Sequence, residues 1–145
     1  MDETEGAVSL TLYACGVEEI PARLLQQKKL FDLDAARATY AGLGKDCRGF
    51  VLYELGRDIA LAVFVVNRLY RSLWLDTLVI DKEVRSDDTV RRVIRLMHEV
   101  AVELARSEGL LKVSWASKFP DRHREMLSGL AEVRDVETVQ SIEVT

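Results

Sequence analysis

A chain of 145 residues, of which 48% are hydrophobic and 30% charged, has the size and composition of one globular domain. Its formal net charge is −4 and its basic residues are interleaved with acidic ones, so no basic surface is expected to attract nucleic acid or an anionic membrane. The acidic N-terminus lacks a signal-peptide pattern, and no apolar run approaches the roughly 20 residues that span a membrane. We expect a cytoplasmic protein that binds neither partner.

Cysteine and histidine are scarce in this sequence. Cys15 and Cys47 are the only cysteines and have no CxxC spacing, so two reduced thiols are expected instead of a disulfide or a zinc site. His98 falls in a helical segment with no second histidine at metal-ligand spacing, and we expect it to be exposed or hydrogen-bonded locally. His123 stands among charged residues, a pattern typical of a solvated helix face. No metal site is predicted.

The first third of the chain predicts one strand and two helices. Residues 7–16 alternate apolar and polar side chains, as a half-buried strand does, and Gly16 ends them. The stretch from Val17 to about Ala41 has helical periodicity with a break near Phe31. Two short helices are therefore expected before the middle of the chain.

Three strands are predicted in quick succession in the middle of the chain, over residues 49–55, 58–66 and 71–81. A short turn signal, Gly56-Arg57, separates the first two. The second run is almost wholly apolar, as a strand buried on both faces should be. The pattern indicates an antiparallel meander.

The clearest helix runs from Asp87 to about Glu108, because apolar residues recur there at helical spacing and Gly109 ends the pattern. The order βααβββαβαββ predicts an α/β fold, with a mixed, mostly antiparallel sheet of about seven strands and helices on both faces. The elements that close the chain are a strand over residues 110–117, a short helix over 119–130, and strands over 131–135 and 138–144.

This order of elements, together with the sequence from Leu78 to Val90, resembles the GNAT superfamily of N-acetyltransferases. The resemblance extends over essentially the whole chain. It implies one GNAT-like domain over residues 1–145, with residues 1–7 as an acidic tail. We regard the chain as a divergent member, of the compact kind found among bacteriophage proteins.

The family's coenzyme A loop falls on the turn that opens the long helix. Its pattern is Arg/Gln-x-x-Gly-x-Gly/Ala, and Arg85 stands at the first position. The family's glycines let backbone amides approach a pyrophosphate, but here those positions hold Asp88 and Val90. The residues to which the resemblance assigns coenzyme binding are Val79, Ile80, Arg85, Ser86, Asp87, Asp88, Thr89 and Val90.

Asp87 and Asp88 place negative charge where the family's ligand brings its own. Two like charges about 4 Å apart repel by about 4 kcal/mol at an effective dielectric constant near 20. Carboxylates also suit the positive N-terminal end of a helix, and either residue could cap it. We therefore expect the two aspartates to be helix caps, and we expect no cofactor.

The family's catalytic groups are only partly matched. The tyrosine that protonates the departing thiolate in many members would fall at Glu125 or, with a shift of one residue, at Met126. Asp76, on the fourth strand, is the one candidate base for taking a proton from an attacking amine. The alternative interpretation of Asp76 is an ordinary solvent-facing strand residue.

Two functions follow from these observations. The hypothesis that we favour from sequence is a non-catalytic structural or interaction subunit, such as a virion component, that binds a protein partner or associates with itself and takes no cofactor. The alternative is a divergent N-acetyltransferase that moves an acetyl group from acetyl-CoA to an amine. It would use an oxyanion donor from the splayed fourth strand and Asp76 as the base.

Overall fold

The computed structural model describes residues 11–27, 32–116, 120–129, 134–136 and 139–144. The predicted acidic tail and the predicted break near Phe31 lie outside these ranges. The strands are β1 (Thr11–Cys15), β2 (Cys47–Glu54), β3 (Arg57–Asn67), β4 (Ser72–Ile80), β5 (Lys112–Ala116), β6 (Arg134–Val136) and β7 (Val139–Glu143). The helices are α1 (Ala22–Leu25), α2 (Leu33–Leu43), α3 (Asp87–Ser107) and α4 (Pro120–Met126).

The strands form one seven-stranded sheet in the order β1-β2-β3-β4-β5-β7-β6. The pairs β1/β2, β5/β7 and β6/β7 are antiparallel, and β4/β5 is parallel. The predicted element order and the predicted fold class, a mixed, mostly antiparallel sheet with helices, are confirmed. The first helix begins later than predicted, at Ala22, because Pro21 precedes it and a 3-10 turn occupies Val17–Glu19.

Contacts divide the chain into two compact units. The first unit comprises Met1–Val63 and Thr77–Arg85, and the second comprises Phe64–Asp76 and Ser86–Thr145. The single domain over residues 1–145 stays a prediction.

The first unit buries the apolar sides of α1 and α2. Leu24 and Leu25 have no exposed surface, and they share a core cluster with Val51 of β2. The Tyr40 hydroxyl, which is also buried, lies 2.7 Å from Thr77 Oγ1. The Tyr40 and Thr77 hydroxyl groups therefore satisfy each other, as buried polar groups must.

A second feature of the first unit is the fully buried carboxylate of Asp81, just after β4. It accepts hydrogen bonds from Arg23 Nη1 at 2.7 Å, from Gln27 Nε2 at 3.2 Å, from the Glu83 N–H at 3.1 Å, and from Arg57 Nη2. Burial by itself raises the pKa of this carboxyl group, but the four donors outweigh it and hold the pKa well below its usual range. The carboxylate is therefore charged, and it ties α1, β3 and the end of β4 together.

The second unit is built around α3. Val93, Met97 and Ala101 lie on the buried side of the helix and have no exposed surface, as the periodicity predicts. Gly109 follows the helix with φ of 71°, and its N–H donates to the Arg106 carbonyl at 3.1 Å. A positive φ favours glycine at this position, so the predicted end of the helix is confirmed.

We predict that Asp81→Ala lowers the free energy of unfolding by about 2–4 kcal/mol, because it leaves two guanidinium groups without their shared carboxylate. Glu83→Ala is the matched control, since Glu83 Oε2 also accepts from Arg57, at 2.7 Å, but is 65% exposed. An exposed ion pair contributes at most about 1 kcal/mol. Urea denaturation of both variants measures the difference, and equal losses would contradict the role given to Asp81.

Candidate functional site

Ser86 caps the N-terminus of α3. Its backbone is extended, and its Oγ accepts from the Thr89 N–H at 3.2 Å. The Val90 N–H donates to the Ser86 carbonyl at 2.8 Å, which is the first hydrogen bond of the helix. The prediction that Asp87 or Asp88 caps this helix is therefore wrong, because the residue before them already fills that position.

Each of the two aspartates instead forms an ion pair. Asp87 Oδ1 lies 2.7 Å from Arg122 Nη2, and Asp88 Oδ2 lies 3.4 Å from Arg92 Nε. The side chains of Asp87 and Asp88 are 97% and 83% exposed. Their charges are thus screened by water and offset by arginines, which weakens the repulsion expected from the sequence.

The first turn of α3 leaves two backbone donors for a ligand. The N–H groups of Asp87 and Asp88 precede the first intrahelical bond, and that of Thr89 is taken by the cap. Such groups point out of a helix N-terminus, where the helix dipole also favours an anion. Because both carboxylates extend into solvent, this end of α3 fits a phosphate group without glycine.

The remaining predicted loop residues lie in the first unit. Val79 and Ile80 are 5% and 8% exposed, so their side chains belong to the core. Arg85 is exposed, and its Nη2 donates to the Ile80 carbonyl at 2.6 Å. The guanidinium group of Arg85 therefore braces the turn from β4.

Asp76, the candidate base, is exposed on β4. The ladder between β4 and β5 that the structure describes pairs Ser72–Trp74 with Lys112–Ser114 and stops there. Leu75 and Asp76 therefore lie beyond the paired part of β4, as the resemblance to a splayed strand implies. The exposure of Asp76 leaves its role as a base open to experiment.

Neither candidate for the family's tyrosine position is placed to act as an acid. Glu125 Oε1 accepts from Arg91 Nη2 at 2.6 Å, an ion pair in which Glu125 is a charged acceptor. Met126 is 4% exposed and has no acidic proton. Arg95 Nη1 donates to the Met126 carbonyl at 3.0 Å, which holds the end of α4 against α3.

Sequence reasoning missed a cluster formed by His98, His123 and Trp115. His98 is 1% exposed, its Nδ1 lies 2.7 Å from the Ile94 carbonyl, and its Nε2 lies 3.3 Å from His123 Nε2. His123 stacks on Trp115, while His98 meets the same ring edge-on. Of the two alternatives expected for His98, the local hydrogen bond is confirmed and the exposed side chain is not. The expectation of a solvated His123 is wrong, because its ring stacks on Trp115.

The cluster is held in its neutral form. Burial lowers the pKa of His98 to about 3, with a further contribution from His123, and burial lowers the pKa of His123 to about 4. Two imidazoles that share one hydrogen bond need a single N–H between their facing nitrogens. A further proton there would create an imidazolium and leave two N–H groups facing each other with no acceptor. The pair joins α4 to α3 and β5.

The described residues give little support to a reactive cysteine, a metal site or a membrane-spanning helix. Cys15 and Cys47 form no disulfide and are half-buried. Burial, with the nearby charge of Glu19, raises the pKa of the Cys15 thiol to about 11. Its reactive thiolate is therefore scarce near neutral pH. In the same ranges, no group of three or more His, Cys, Asp or Glu could hold a metal ion. None of the described helices has the length and apolar character needed to cross a membrane.

Comparisons with solved structures identify the fold. The chain is similar to an IAA acetyltransferase from Bacillus cereus ATCC 14579, at 14% identity and a TM-score of 0.67, covering 94% of this chain and 100% of that one. It is similar to the ribosomal-protein-S18-alanine N-acetyltransferase from Escherichia coli, at 15% identity and 0.65, covering 94% and 95%. It is also similar to a spermidine N-acetyltransferase from Vibrio cholerae in complex with CoA and spermine, at 17% identity and 0.62, covering 92% and 95%.

The chain has the GNAT fold, and the low identities agree with a divergent sequence. No protein-family model and no curated protein matches it. The hypothesis of a non-catalytic structural or interaction subunit is wrong, because the similar structures are acetyltransferases and one of them is a complex with CoA and spermine. The expectation of no cofactor and the virion setting gain no support from these comparisons. A protein partner or self-association stays a prediction.

We predict that the free energy of unfolding falls as the pH is lowered from about 6.5 through about 4. The pKa values of His98 and His123 are lower in the folded chain than in the unfolded chain, so the unfolded chain binds more protons in this window. The stabilisation is complete above pH 6.5 and is lost below it. Asp81 acts in the same direction only as the pH approaches its ordinary pKa of 3.8.

Urea denaturation at about pH 7 and about pH 4.5 measures the effect of the histidine pair, because Asp81 contributes to the pH dependence only at lower pH. The variant His123→Phe keeps a ring against Trp115 but removes one titrating group and the proton-sharing partner of His98. We expect it to lose less stability than the natural chain between these two pH values. Equal losses would show that the histidine pair does not cause the pH dependence.

Proposed function

We propose that this chain is an N-acetyltransferase that moves an acetyl group from acetyl-CoA to an amine. The observation that carries the proposal is the start of α3. There, two backbone N–H groups precede the first helical bond, and the carboxylates of Asp87 and Asp88 extend into solvent beside arginines. In a chain with the GNAT fold, this is the helix end at which the family binds its coenzyme.

Acetyl-CoA, when bound, would supply an acetyl thioester as the activated group. The chain's contribution at α3 is to bind phosphate oxygens through the N–H groups of Asp87 and Asp88. Arg122 and Arg92, which pair with these aspartates, offset the two negative charges beside the N–H groups. Direct amide donors with flanking cations are the usual protein partners of phosphate groups.

Asp76 is the residue that we assign as the base. An amine attacks a thioester only through its uncharged nitrogen, so a proton has to leave the acceptor before or during attack. An exposed carboxylate on the strand that carries the reacting region can take that proton and pass it to water.

The chain does not need an acid for the departing sulfur. A thiol has an ordinary pKa of about 8.5, so a thiolate is stable enough to leave without being protonated first. This explains how acetyl transfer can proceed although Glu125 is held by Arg91 and Met126 has no proton to give. Protonation from water would complete the step.

We predict that acetyl-CoA produces a saturable rise in melting temperature, worth about 2.7 kcal/mol when its concentration is 100 times its dissociation constant. The double variant Asp87→Asn, Asp88→Asn should bind about tenfold more tightly, because each charge removed relieves up to about 1 kcal/mol of repulsion in water. S-acetylpantetheine, which lacks the phosphates, is the matched ligand, and its binding should not respond to these substitutions. Absence of a saturable shift with acetyl-CoA in both proteins would contradict the proposed function.

We predict that Asp76→Asn lowers kcat by about 100-fold or more near neutral pH and leaves the dissociation constant of acetyl-CoA unchanged. Acceptors to screen are spermine and a peptide with an N-terminal alanine, which represent the two acceptor classes named for the similar structures. Asp121→Asn is the control, since Asp121 is 98% exposed on α4 and pairs with Arg124. Release of free thiol measures the rate, and an unchanged pH profile for Asp76→Asn would rule out its role as the base.

A further inference from the structure

A hollow of about 190 Å³ opens on the second unit. Its size suits a small molecule, since pockets for drug-sized ligands begin at about 300 Å³. Two aromatic rings, an ammonium group and two hydroxyl groups meet there. The residues that line it are Asn67, Tyr70, Ser72, Trp74, Lys112 and Ser114.

The walls of the hollow present apolar surface to solvent. Tyr70 is 67% exposed, although it is a large aromatic residue, and Trp74 is only half-buried. Aromatic rings at a concave surface gain from contact with another flat apolar group. This pair of rings therefore favours a ligand with a flat body.

The turn that carries Tyr70 is held in one conformation. Asn67 Oδ1 accepts from the Tyr70 N–H at 3.2 Å, and the Arg71 carbonyl accepts from the Leu111 N–H at 2.7 Å. Arg71 has φ of 52°, in the left-handed region that costs energy for a residue with a side chain. The two hydrogen bonds offset this strain and hold the Tyr70 backbone in place.

The polar groups of the hollow suit an anion. Lys112 is half-buried, and in the part of the chain that the structure describes it forms no ion pair. Ser72 Oγ donates to Ser114 Oγ at 3.4 Å, and both residues are buried. A half-buried ammonium group beside hydroxyl donors is stabilised by a bound carboxylate, which would replace water as its partner.

One neighbouring charge limits the size of that anion. Glu143 lies opposite Lys112 in the β5/β7 ladder and is exposed. A single negative charge on the ligand can be matched by Lys112, whereas a second one would meet repulsion from Glu143. The hollow therefore favours a monoanion.

We propose that this hollow is a binding site for a flat organic monocarboxylate, which stacks against Tyr70 and Trp74 and pairs with Lys112. Asp76 lies two residues from Trp74 on β4, but this proposal uses neither Asp76 nor the start of α3, and its probe and variants differ from those that test acetyl transfer. A failure of either proposal leaves the other standing.

Phenylacetate is the probe, and fluorine NMR of the chain labelled with 5-fluorotryptophan is the readout. The chain has two tryptophans, and Trp115 is buried against His98, so the two signals report on different places. Phenylacetate should move the Trp74 signal saturably, with a dissociation constant on the order of 1 mM, and leave the Trp115 signal in place. Phenylacetamide, the neutral isostere, should bind at least fivefold more weakly.

Three variants test the charges. Lys112→Met removes the ammonium group but keeps an unbranched apolar side chain, and it should weaken phenylacetate binding at least fivefold. Lys45→Met, which changes an exposed lysine in the first unit, should have no effect. Glu143→Gln should strengthen binding about threefold. Equal binding of phenylacetate and phenylacetamide, no saturable movement of the Trp74 signal, or no effect of Lys112→Met would each overturn the proposal.

Discussion

The buried carboxylate of Asp81 is the constraint on which the turn after β4 depends. A charged group without exposed surface is tolerated only when its hydrogen-bonding capacity is filled, and here two arginines, one glutamine and one backbone N–H fill it. Arg23 comes from α1, Gln27 from the turn that follows it, and Arg57 from the start of β3. The same carboxylate therefore fixes where the chain leaves β4, and Arg85, four residues further on, adds its bond to the Ile80 carbonyl.

The order of elements could be predicted because its signals are local. The apolar run of β3 is buried on both faces along most of its length, and the periodic stripe of α3 places Met97 against the core. Gly109 marks the end of α3 because one backbone angle requires it. Such patterns need only a few neighbouring residues to be read, so the fold class follows from them even at 14–18% identity to known structures.

The site could not be read in the same way, because its decisive contacts join residues far apart in sequence. Arg122 reaches Asp87 across 35 positions, and His123 reaches His98 across 25. From the sequence, Asp87 and Asp88 are two adjacent negative charges; in the structure, each has a cation beside it. Ser86 caps the helix because it has the extended backbone that an N-cap residue needs, and it precedes the two aspartates.

Under the proposed function, the lack of glycine in the turn lowers the affinity for the coenzyme but does not abolish binding. A phosphate site at a helix N-terminus requires backbone N–H groups that are free of helical bonds and side chains that do not obstruct them. Glycine meets the second condition by having no side chain. Asp88, at one of the two glycine positions, and Asp87 beside it meet it by extending into solvent. Their charges oppose an anion by up to about 1 kcal/mol each in water, or about fivefold in affinity per charge, and the ion pairs with Arg122 and Arg92 reduce that figure. The proposed affinity of this turn for a phosphate therefore depends on the balance of exposed charges, which solvent and salt screen. The backbone geometry that the proposed site requires is present.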